Sequence, residues 1–405
     1  MAGPDFSVLV VGGGSCGLAL AQGLKYAGIP YTLYERDSEE DYHRRPRDWG
    51  SLLHWGAEYL EKCLPPDLWQ RRSEMYVDPW NDYATPPIYW NAKTGEIIKR
   101  IEGSKLVRVS RRKVRLLLSE GLDIEFSKRL KSISPDGNGA RAVFEDGTSA
   151  AGSLIVGCDG GRSAVREYIV GSEAATGFDT DITIINTMSQ YTAKQALALR
   201  ARHPIISTCY HPDKPIAGLI ATLDIPSKDA PPETWKFQVY TSWRGAPRKA
   251  DFETPADAMR FFKSRFAEMA EPFRSAGLAF SDDFTLPVDS GWNFKPLGDF
   301  AWDNHNGRVT VAGDAAHSML PHRGQGLNNA IMDAAEILEA VKRVAEGDAS
   351  LGEAIGAYEA EMRIQGSEEV DRTLEVAANA SFSRFQASPM VKIGLQKAEK
   401  DQGKL

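Results

Sequence analysis

The chain has 405 residues, of which 42% are hydrophobic and 25% are charged, as is typical of a globular protein with a sizeable core. A net charge of −7 and a sequence pI of about 5.7 argue against nucleic acid or an anionic membrane as the main partner. No apolar run approaches the ~18 residues of a membrane span, and no basic segment precedes the first apolar run. We therefore expect neither an integral membrane segment nor a signal peptide.

Cysteine usage indicates the cellular compartment. The chain has four widely separated cysteines, Cys16, Cys63, Cys158 and Cys209. No CxxC pair or metal-ligand spacing connects them, so we interpret them as reduced thiols and expect no metal site. Reduced thiols are typical of the cytosol, so the sequence predicts a cytoplasmic protein.

The chain begins with the pattern of a nucleotide-binding βαβ unit. Residues 6–11 are apolar and β-branched, which predicts a buried parallel strand, and "LALAQGLKYAG" (18–28) has helical periodicity. "YTLYER" predicts a second strand with Glu35 at its end, 18 residues after Gly17, where an acid would hydrogen-bond a ribose. Arg36 follows and can mark a ribose 2′-phosphate, but Glu35 would repel that phosphate, so we favour an unphosphorylated ribose.

Glycines at GxGxxG spacing connect the first strand to the helix. Gly12 permits a tight turn, Gly14 lets the backbone approach a pyrophosphate, and Gly17 lets the helix pack close to the strand. The helix start at Ser15 and Cys16 would offer free N–H groups to phosphates. The alternative interpretation is a glycine-rich turn beside a surface glutamate.

The middle of the chain contains a second glycine signature. In "FEDGTSAAGSLIVGCDGGRSAVR", Asp146 and Gly147 predict a hairpin, and residues 154–156 predict a short buried strand. Asp159 follows that strand at the sheet edge where α/β proteins bind ligands. We interpret Arg166 as structural, holding this loop against the first helix.

Residues 176–285 contain no nucleotide signal. "ITIINTM", "IISTCYH", "GLIATLDI" and "WKFQVYTSW" predict strands of an antiparallel sheet, and "PADAMRFFKSRFAEMAEPFRSAG" predicts one amphipathic helix. Alternation in "WKFQVYTSW" predicts two faces, one with Trp235, Phe237, Val239, Thr241 and Trp243, and the other with Lys236, Gln238, Tyr240 and Ser242. Spacing does not decide which face lines a pocket. The candidates for substrate contact are Tyr210, Tyr240 and Trp243, each with a core position as the alternative.

A third signature lies late in the chain, in "VTVAGDAAHSMLPHRGQGLNNAIMDAAE". It predicts a strand that ends at Gly313 and Asp314, a turn at Pro321, and a long helix that begins after a Gly-x-Gly pair. The positive end of that helix would favour negative charge beside it. We interpret His317 as a packed, hydrogen-bonded residue rather than a catalytic one.

The three signatures, GxGxxG, GxDGxxSxVR and GDAAH…PHRGQGLNNA, resemble those of single-component FAD-dependent aromatic hydroxylases of the p-hydroxybenzoate hydroxylase type, and the fungal members most of all. The resemblance covers most of the chain and is poor from about 176 to 285. It implies an α/β fold: a Rossmann-like, glutathione-reductase-like FAD-binding domain with an inserted β-rich substrate domain over the flavin and C-terminal helices. The implied parts are 1–175 (FAD-binding, with 72–105 contributing to the substrate domain), 176–285 (substrate), 286–350 (FAD-binding) and 351–405 (helical).

The resemblance also implies which residues contact each part of FAD. Glu35 would bind the adenosine ribose, Asp159 would support the pyrophosphate region and the reductant, and Asp314 would bind the ribityl chain. Arg111, in "SRRKVRLLL", matches an arginine that opens a helix and touches FAD, with Arg112 as the alternative.

The remaining cofactor contacts come from an arginine and the late glycines. Arg47 resembles another cofactor-side arginine, with Arg44 and Arg45 as alternatives, and the backbone of residues 324–328 would face the isoalloxazine ring. The predicted cofactor-binding residues are Gly12, Gly14, Ser15, Cys16, Gly17, Glu35, Arg36, Arg47, Arg111, Asp159, Gly313, Asp314, Pro321, Gly324, Gln325, Gly326, Leu327 and Asn328. Arg323 departs from the family, where many members have a small residue; it would alter the flavin pocket or point to solvent.

The implied reaction is oxygen transfer. NAD(P)H would reduce FAD, O2 would add to form a flavin hydroperoxide, and a small aromatic or heteroaromatic molecule would be hydroxylated or epoxidised, in natural-product biosynthesis. The chain lacks a second Rossmann fingerprint, so NAD(P)H would bind transiently at the flavin face. No nucleophile–base triad is evident, and we assign no catalytic base. The alternatives are a flavin-dependent reductase or cyclase without oxygen transfer, and a non-catalytic flavoprotein.

Overall fold

Alternating strands and helices make up the protein, whose computed structural model describes residues 6–45, 47–101, 107–137, 139–295 and 301–378. The strands are β1 (Val8–Val11), β2 (Tyr31–Tyr34), β3 (Gly50–Leu52), β4 (Ile88–Asn91), β5 (Ile97–Arg100), β6 (Arg108–Ser110), β7 (Ile124–Glu125), β8 (Leu130–Asp136), β9 (Gly139–Phe144), β10 (Ser149–Gly152), β11 (Leu154–Gly157), β12 (Phe178–Ser189), β13 (Ile206–Tyr210), β14 (Ala217–Asp224), β15 (Lys236–Arg244), β16 (Val288–Asn293) and β17 (Val309–Val311). The helices are α1 (Ser15–Tyr26), α2 (Glu39–Arg44), α3 (Gly56–Cys63), α4 (Pro66–Gln70), α5 (Arg111–Ser119), α6 (Ala164–Ala175), α7 (Ala193–Arg202), α8 (Pro255–Ala267), α9 (Phe273–Leu278), α10 (Asp314–His317), α11 (Gly326–Glu346) and α12 (Leu351–Ala378).

A parallel sheet carries all three signatures. Over the described residues its strand order is β17-β11-β1-β2-β7, and all its pairings are parallel. Its central strands, such as β1 and β11, are buried along their whole length, because helices and the strands β9 and β10 pack against them. The three signatures all follow strands of this sheet, so they meet at its carboxyl edge. This is the edge where open α/β sheets bind ligands.

The second large sheet is mixed rather than purely antiparallel. Its order within the described chain is β16-β12-β15-β14-β13-β4-β5, and the four predicted strands are β12 to β15. β4 joins β13 in parallel, while the other pairings are antiparallel. The antiparallel pairing predicted for the four strands is confirmed, and β4, from residues 88–91, adds a parallel pairing that the prediction did not include.

The two faces of β15 have different surroundings, as its alternation predicts. Phe237, Val239 and Trp243 pack into a core with the aromatic side chains of α8 and α9. The segment predicted as one helix forms these two helices, which are separated by residues 268–272 with Pro272 as the cap of the second helix. Proline lacks the N–H that a continuous helix needs, so the single helix stops there. The opposite face of β15 is free to line a cleft.

The two large sheets are joined by a small ribbon and by the last helix. β3 and β6 pair in an antiparallel ribbon, and the Gly50 N–H donates to Gln238 Oε1 on β15 at 2.8 Å. Late in α12, Leu374 and Ala377 pack on Ile182 and Ile184 of β12. No helix in the described ranges combines the length and apolar character that spanning a membrane requires.

Candidate active site

A cleft with a volume of about 500 Å³ lies between the parallel sheet and the open face of the mixed sheet. One side consists of the loop after β1, the β3–β6 ribbon and the segment between β17 and α11. The other side consists of residues from β4, β12, β13, β14 and β15. The cleft therefore brings together polar loop backbone at one end and an apolar, aromatic wall at the other.

The first loop (residues 12–17) has the backbone shape that its glycines predict. Gly12 has φ of 115°, in the left-handed region, and a Cβ on Gly17 would lie 2.0 Å from the Gly12 carbonyl oxygen. A Cβ on Gly14 would meet nothing within 4 Å, and Gly14 lines the cleft. The loop thus turns tightly, packs against α1 and leaves open space where a phosphate would approach.

The start of α1 faces this open space. Gly14 is its N-cap and accepts no side-chain capping bond, and Ser15 and Cys16 line the cleft. The first N–H groups of a helix have no intrahelical partner and favour an anion. Cys16 Sγ lies 3.8 Å from Cys158 Sγ, and the contact with this thiol raises the pKa of Cys16 well above its usual value. These two cysteines, 142 positions apart, meet only in the fold.

Glu35 supports the first loop from behind. Its carboxylate accepts hydrogen bonds from the Gly13 N–H and the Asp37 N–H, each at 3.0 Å, and pairs with Arg45 at 3.2 Å. Glu35 is buried and does not line the cleft, so its observed contacts are with the protein. The Arg36 side chain is 48% exposed and does not line the cleft, so its contact with the cofactor stays a prediction.

Two predicted arginines reach the cleft and enclose a tryptophan that the sequence analysis missed. The guanidinium carbon of Arg111 lies 4.4 Å from the Trp49 ring centre, and that of Arg47 lies 5.5 Å from it. Arg47 also pairs with Asp289 of β16 at 2.8 Å, which links the two sides of the cleft mouth. Burial lowers the pKa of Arg111, while the carboxylate of Asp314 opposes that shift.

Alternative arginines are placed elsewhere. Arg112 does not line the cleft, and its backbone N–H donates to Asp48 at 3.1 Å. Arg44 pairs with Glu40 on the exposed side of α2, and Arg45 pairs with Glu35 and Asp37. Of the five arginines considered for the two predicted cofactor contacts, only Arg111 and Arg47 line the cleft.

The second signature holds the cleft edge together. The Asp159 carboxylate accepts the Ala164 N–H at 2.8 Å and the Ser163 hydroxyl, which caps α6. Asp159 does not line the cleft; it supports the loop at the cleft edge, and its role toward the pyrophosphate region and the reductant stays a prediction. Arg166 donates to the Ala316 carbonyl oxygen at 2.8 Å, so it holds the late signature rather than the first helix, and that prediction was wrong.

A buried network fixes the turn after β17. Asp333 Oδ2 on α11 accepts the Gly313 N–H at 2.6 Å and lies 2.8 Å from His317 Nε2. Burial opposes protonation of His317, but the Asp333 carboxylate outweighs it and raises the pKa of the imidazole. His317 is thus packed and hydrogen-bonded, which confirms that interpretation. Gly313 has φ of 61°, and Asp314 presents an exposed carboxylate to the cleft.

The late loop (residues 321–327) leads into the N-terminus of α11. Pro321, Gly324, Gly326 and Leu327 line the cleft. Gly324 has φ of 64°, and a Cβ there would lie 2.8 Å from Leu52 Cδ1, so the turn needs glycine. The cap residue of α11 contributes no side-chain capping bond, which leaves the helix N–H groups directed toward the cleft end.

Gln325 and Asn328, which belong to the loop predicted to face the ring, direct their side chains away from the cleft. Gln325 accepts from Trp55 Nε1 at 3.0 Å, and Asn328 Oδ1 accepts from the N–H groups of His54 (2.9 Å) and Gly56 (3.1 Å). Neither residue lines the cleft. Their side chains tie the late loop to the segment after β3. The expectation that the backbone of residues 324–328 faces the ring stays a prediction.

The substrate-side candidates divide according to the face of β15. Tyr210 and Tyr240 line the cleft, together with Gln238 and Ser242. Trp243 does not, because its side chain points to the helical side, where its ring lies 4.8 Å from that of Phe261. The predicted alternation already separates Tyr240 from Trp243, so both could not line one pocket.

The sequence analysis assigned no role to His322, and one of its two expectations for Arg323, that the side chain points to solvent, was wrong. His322 Nε2 lies 3.0 Å from Ser242 Oγ and 3.4 Å from Tyr240 OH, and burial lowers the pKa of this imidazole to about 4. Arg323 is 1% exposed and forms an ion pair with Glu369 of α12, so it does not point to solvent. The letters "HR" in "PHRGQG" were the available signal, but their partners lie 80 and 46 positions away.

Comparison with known proteins places these features in a family. A family model described as an FAD binding domain matches residues 113–373. Over 395 residues the chain is 34% identical to the FAD-dependent monooxygenase cctM of Talaromyces islandicus, with 96% of each chain covered. Over 343 residues it is 37% identical to the FAD-dependent monooxygenase dbaB of Emericella nidulans, covering 82% of this chain and 86% of that protein.

Solved structures share the fold. HpxO of Klebsiella pneumoniae, in complex with FAD and uric acid, has a TM-score of 0.73 at 20% identity, covering 94% of this chain and 90% of that one. The 2,6-dihydroxypyridine-3-hydroxylase of Arthrobacter nicotinovorans has a TM-score of 0.72 at 20% identity, covering 95% and 94%. The predicted α/β class with an FAD-binding domain, a β-rich sheet and C-terminal helices is confirmed.

Fold and cleft together define a flavoprotein oxidoreductase of the α/β class. The chain belongs to the family of FAD-dependent monooxygenases that share this FAD-binding domain. The residues present fit the cofactor, since the cleft offers an open glycine loop, an uncapped helix start and an exposed carboxylate at Asp314. The predictions of FAD as the cofactor and of an enzyme are confirmed.

Proposed function

We propose that the protein hydroxylates or epoxidises a small aromatic or heteroaromatic molecule with NAD(P)H and O2. One observation carries this proposal: a single cleft joins the dinucleotide end to a pocket walled by Tyr89, Tyr210 and Tyr240 and by apolar side chains. Pockets of this kind orient flat organic ligands through a few polar groups. The likeness to a salicylate hydroxylase, with a TM-score of 0.69 at 17% identity, supports the fold on which the proposal rests.

The end of the cleft formed by the first loop, the start of α1 and Asp314 offers a binding group for each part of FAD. The first loop and the start of α1 would hold the pyrophosphate, and Asp314 would accept hydrogen bonds from ribityl hydroxyls. Glu35 accepts a hydrogen bond from the Gly13 N–H of the first loop, and beside this loop it would bind the adenosine ribose. FAD, when bound, supplies the redox chemistry by taking a hydride from NAD(P)H and activating O2.

The late loop would place the reactive end of the cofactor. Gly324 and Gly326 carry no side chains there, so the backbone can lie against a flat ring. The N-terminus of α11 favours negative charge beside it, which stabilises an anionic ring system. The chain has no second Rossmann fingerprint, so NAD(P)H would bind transiently at the exposed side of the ring.

The substrate pocket would lie against the mixed sheet. Ile88 and Tyr89 on β4, Ile184 on β12 and Leu219 on β14 form an apolar wall that excludes water from the reacting atoms. The proposed division is an FAD-binding part (1–175 and 286–350), a substrate part (72–105 and 176–285) and a helical end (351–405), of which residues 379–405 lie outside the described residues. The free cysteines among the described residues support a reducing compartment such as the cytoplasm.

The test is a screen of aromatic compounds for stimulated NAD(P)H oxidation by the FAD-loaded protein under oxygen-18. We expect one class of compound to accelerate NAD(P)H consumption and to gain one oxygen-18 atom, as product mass would show. Consumption that yields no labelled product would favour a flavin-dependent reductase or cyclase. A protein that binds FAD but consumes no NAD(P)H with any compound would favour a non-catalytic flavoprotein.

A further inference from the structure

A relay of hydrogen bonds runs from the β3–β6 ribbon to the mixed sheet along the wall of the cleft. Gln238 Oε1 on β15 accepts from the Gly50 N–H at 2.8 Å and from Nη2 of Arg108. Gln238 Nε2 donates in turn to Asn186 Oδ1 on β12 at 2.8 Å. All four residues line the cleft, and the proposed reaction gives no role to their side chains.

The two donors at the start of the relay fix the direction of the Gln238 amide. A backbone N–H can only donate, and a guanidinium has five donors and no acceptor. Arg108 is 3% exposed, and although burial lowers its pKa to about 10, it stays charged at neutral pH. Both lone pairs of Gln238 Oε1 are therefore occupied, and a flipped amide would place its NH2 group against two donors. The NH2 group of Gln238 must face Asn186.

The direction of the Asn186 amide follows from that of Gln238. Because Gln238 Nε2 donates, Asn186 presents its oxygen there and directs its own NH2 group elsewhere. Asn186 Nδ2 makes no hydrogen bond to any described residue, and it is not one of the fully buried polar atoms without a partner, so it keeps accessible surface. Side chains alternate along β12, which puts Ile185 in the core with α8 and puts Ile184 and Asn186 on the cleft face. The free donor of Asn186 therefore faces the cleft.

Asn186 differs from the other polar groups of this wall. Tyr240, paired with Asn186 across the strands, and Ser242 carry hydroxyl groups, each of which can donate or accept. These hydroxyls discriminate little between a donor and an acceptor on a ligand. An NH2 group held in one direction accepts nothing, so it favours an acceptor atom and disfavours a donor at the same place.

We propose that Asn186 is a substrate-binding residue whose amide N–H donates to an acceptor atom of the aromatic substrate, and that Arg108 and Gln238 are positioning residues that fix the direction of this donor. The substrate class is an aromatic molecule that carries an oxygen or ring-nitrogen acceptor. Aromatic hydrocarbons and ligands whose only polar group is a donor lie outside it. The inference rests on the proposed function, which places an aromatic molecule against the mixed sheet.

The test is calorimetric titration of the FAD-loaded protein with flat bicyclic probes of similar size. Quinoline, isoquinoline and chromone carry an acceptor, indole carries only an N–H donor, and naphthalene carries neither. We expect at least one acceptor probe to bind about 3- to 10-fold more tightly than both indole and naphthalene, the value of one neutral hydrogen bond. Equal binding of all probes, or tightest binding by indole or naphthalene, would overturn the inference.

Gln238→Glu tests the relay, because it should reverse the group that faces the cleft. One carboxylate oxygen still accepts from Gly50 and Arg108, and its charge pairs with the buried guanidinium, so the variant should fold. The other oxygen also accepts, so Asn186 must turn its NH2 group toward it and its carbonyl oxygen toward the cleft. This variant should bind indole more tightly than the acceptor probes. A loss of affinity shared equally by all probes would show that Gln238 only supports the wall, and would contradict the relay.

Two further variants assign the preference to its residue. Asn186→Leu has a similar size but no donor, so it should lose the preference for acceptor probes; a variant that retains this preference would remove Asn186 from substrate binding. Gln70→Glu makes the same chemical change as Gln238→Glu at an exposed position that does not line the cleft, so it should leave the order of the probes unchanged. If Gln238→Glu does not fold, Asn186→Leu and the unmodified protein decide the inference.

Failure of this inference and failure of the proposed function give different results. The order of binding requires no turnover, so selective binding of acceptor probes by a protein that transfers oxygen to no compound would count against the proposed function alone. Oxygen transfer to aromatic compounds by a protein that binds all five probes equally would count against the role of Asn186 alone.

Discussion

At the scale of single residues, two glycines of the first loop separate a folding requirement from a binding requirement. A methyl group on Gly17 would lie 2.0 Å from the Gly12 carbonyl oxygen, whereas one on Gly14 would enter open space. Gly14→Ala should therefore fold normally, since φ is −80° there, but weaken FAD binding by about 1–3 kcal/mol through overpacking, or roughly tenfold to a hundredfold. FAD titration, followed by quenching of flavin fluorescence, measures this loss.

The matched comparison is Gly17→Ala. It should lower the melting temperature of the FAD-free protein, because α1 must move away from β1, while Gly14→Ala should leave that temperature unchanged. Two variants with the same stability and the same FAD affinity would contradict these separate roles for the two glycines.

Asp314 is the residue for which a direct cofactor contact is most readily tested. Its carboxylate faces the cleft and takes no hydrogen bond from any described residue, so it is available to ribityl hydroxyls. Asp314→Ala should weaken FAD binding about 10- to 100-fold, the value of a charge-assisted hydrogen bond. Asp229→Ala, in an exposed loop, is the control. Unchanged FAD affinity in Asp314→Ala would remove this residue from the ribityl role.

At the scale of elements, the His317–Asp333 contact joins the turn after β17 to α11. Asp333 raises the pKa of His317 above the usual value of about 6.5, so the folded protein holds this proton more tightly than the unfolded chain. The contribution to stability is complete below about pH 6.5 and is lost as pH rises through the higher folded pKa. The free energy of unfolding in urea should fall over this range for the natural protein. His317→Asn should remove that part of the pH dependence, and an unchanged slope would count against the contact as its source.

A buried ion pair also joins the late loop to α12. Arg323 and Glu369 are both buried, so Glu369→Gln leaves a buried guanidinium without its counter-ion. Removal of one partner of such a pair typically costs about 3–5 kcal/mol. Urea unfolding of the FAD-free protein should reveal a loss of this order.

The control for this prediction is the neighbouring residue on the same helix. Glu368 pairs with Arg372 near the surface, and such pairs are typically worth roughly 0.3–0.5 kcal/mol. Glu368→Gln should therefore be almost neutral. Equal stability losses in the two variants would indicate a helix-wide effect rather than the buried pair.

At the scale of the whole molecule, the position of the cleft between two cores has a thermodynamic consequence. One core contains the parallel sheet, and the other contains Trp243 with the helices α8 and α9. FAD at 100 times its dissociation constant should stabilise the folded state by about 2.7 kcal/mol. Residues of both sheets line the cleft, so bound FAD should stabilise both. Tryptophan fluorescence and calorimetry should therefore report one unfolding transition, and FAD should raise its melting temperature. A tryptophan transition that does not respond to FAD would mean that the mixed sheet unfolds separately.

The fold was predictable where local pattern and physical role coincide. Apolar runs such as residues 6–11 identify buried strands, and alternation along β15 identifies its two faces, because side chains alternate across any strand. The break before Pro272 was also available from the sequence, but the amphipathic pattern on both sides concealed it. The parallel pairing of β4 with β13 was not available, because strand pairing over more than 100 residues depends on how the rest of the chain packs.

The site was predictable as a set of backbone loops and less so as a set of side chains. Gly12, Gly14 and Gly17 could be given roles because glycine spacing constrains the backbone directly. Asn328 and Gln325 occur in the same motif as Gly324 and Gly326, but their side chains hold the loop from outside the cleft. A motif reports which residues occur together and does not report the direction of each side chain.

The sequence by itself determined that this chain builds a dinucleotide-binding α/β fold, because the glycine signatures impose local backbone shapes. The resemblance of these signatures to those of FAD-dependent aromatic hydroxylases implied FAD as the cofactor. Tertiary structure decided which polar side chains meet at the cleft. His322 meets Ser242, and Arg323 meets Glu369, only because the late loop is enclosed between the mixed sheet and α12. Contacts between residues so far apart along the chain arise from packing and burial, which no local spacing encodes.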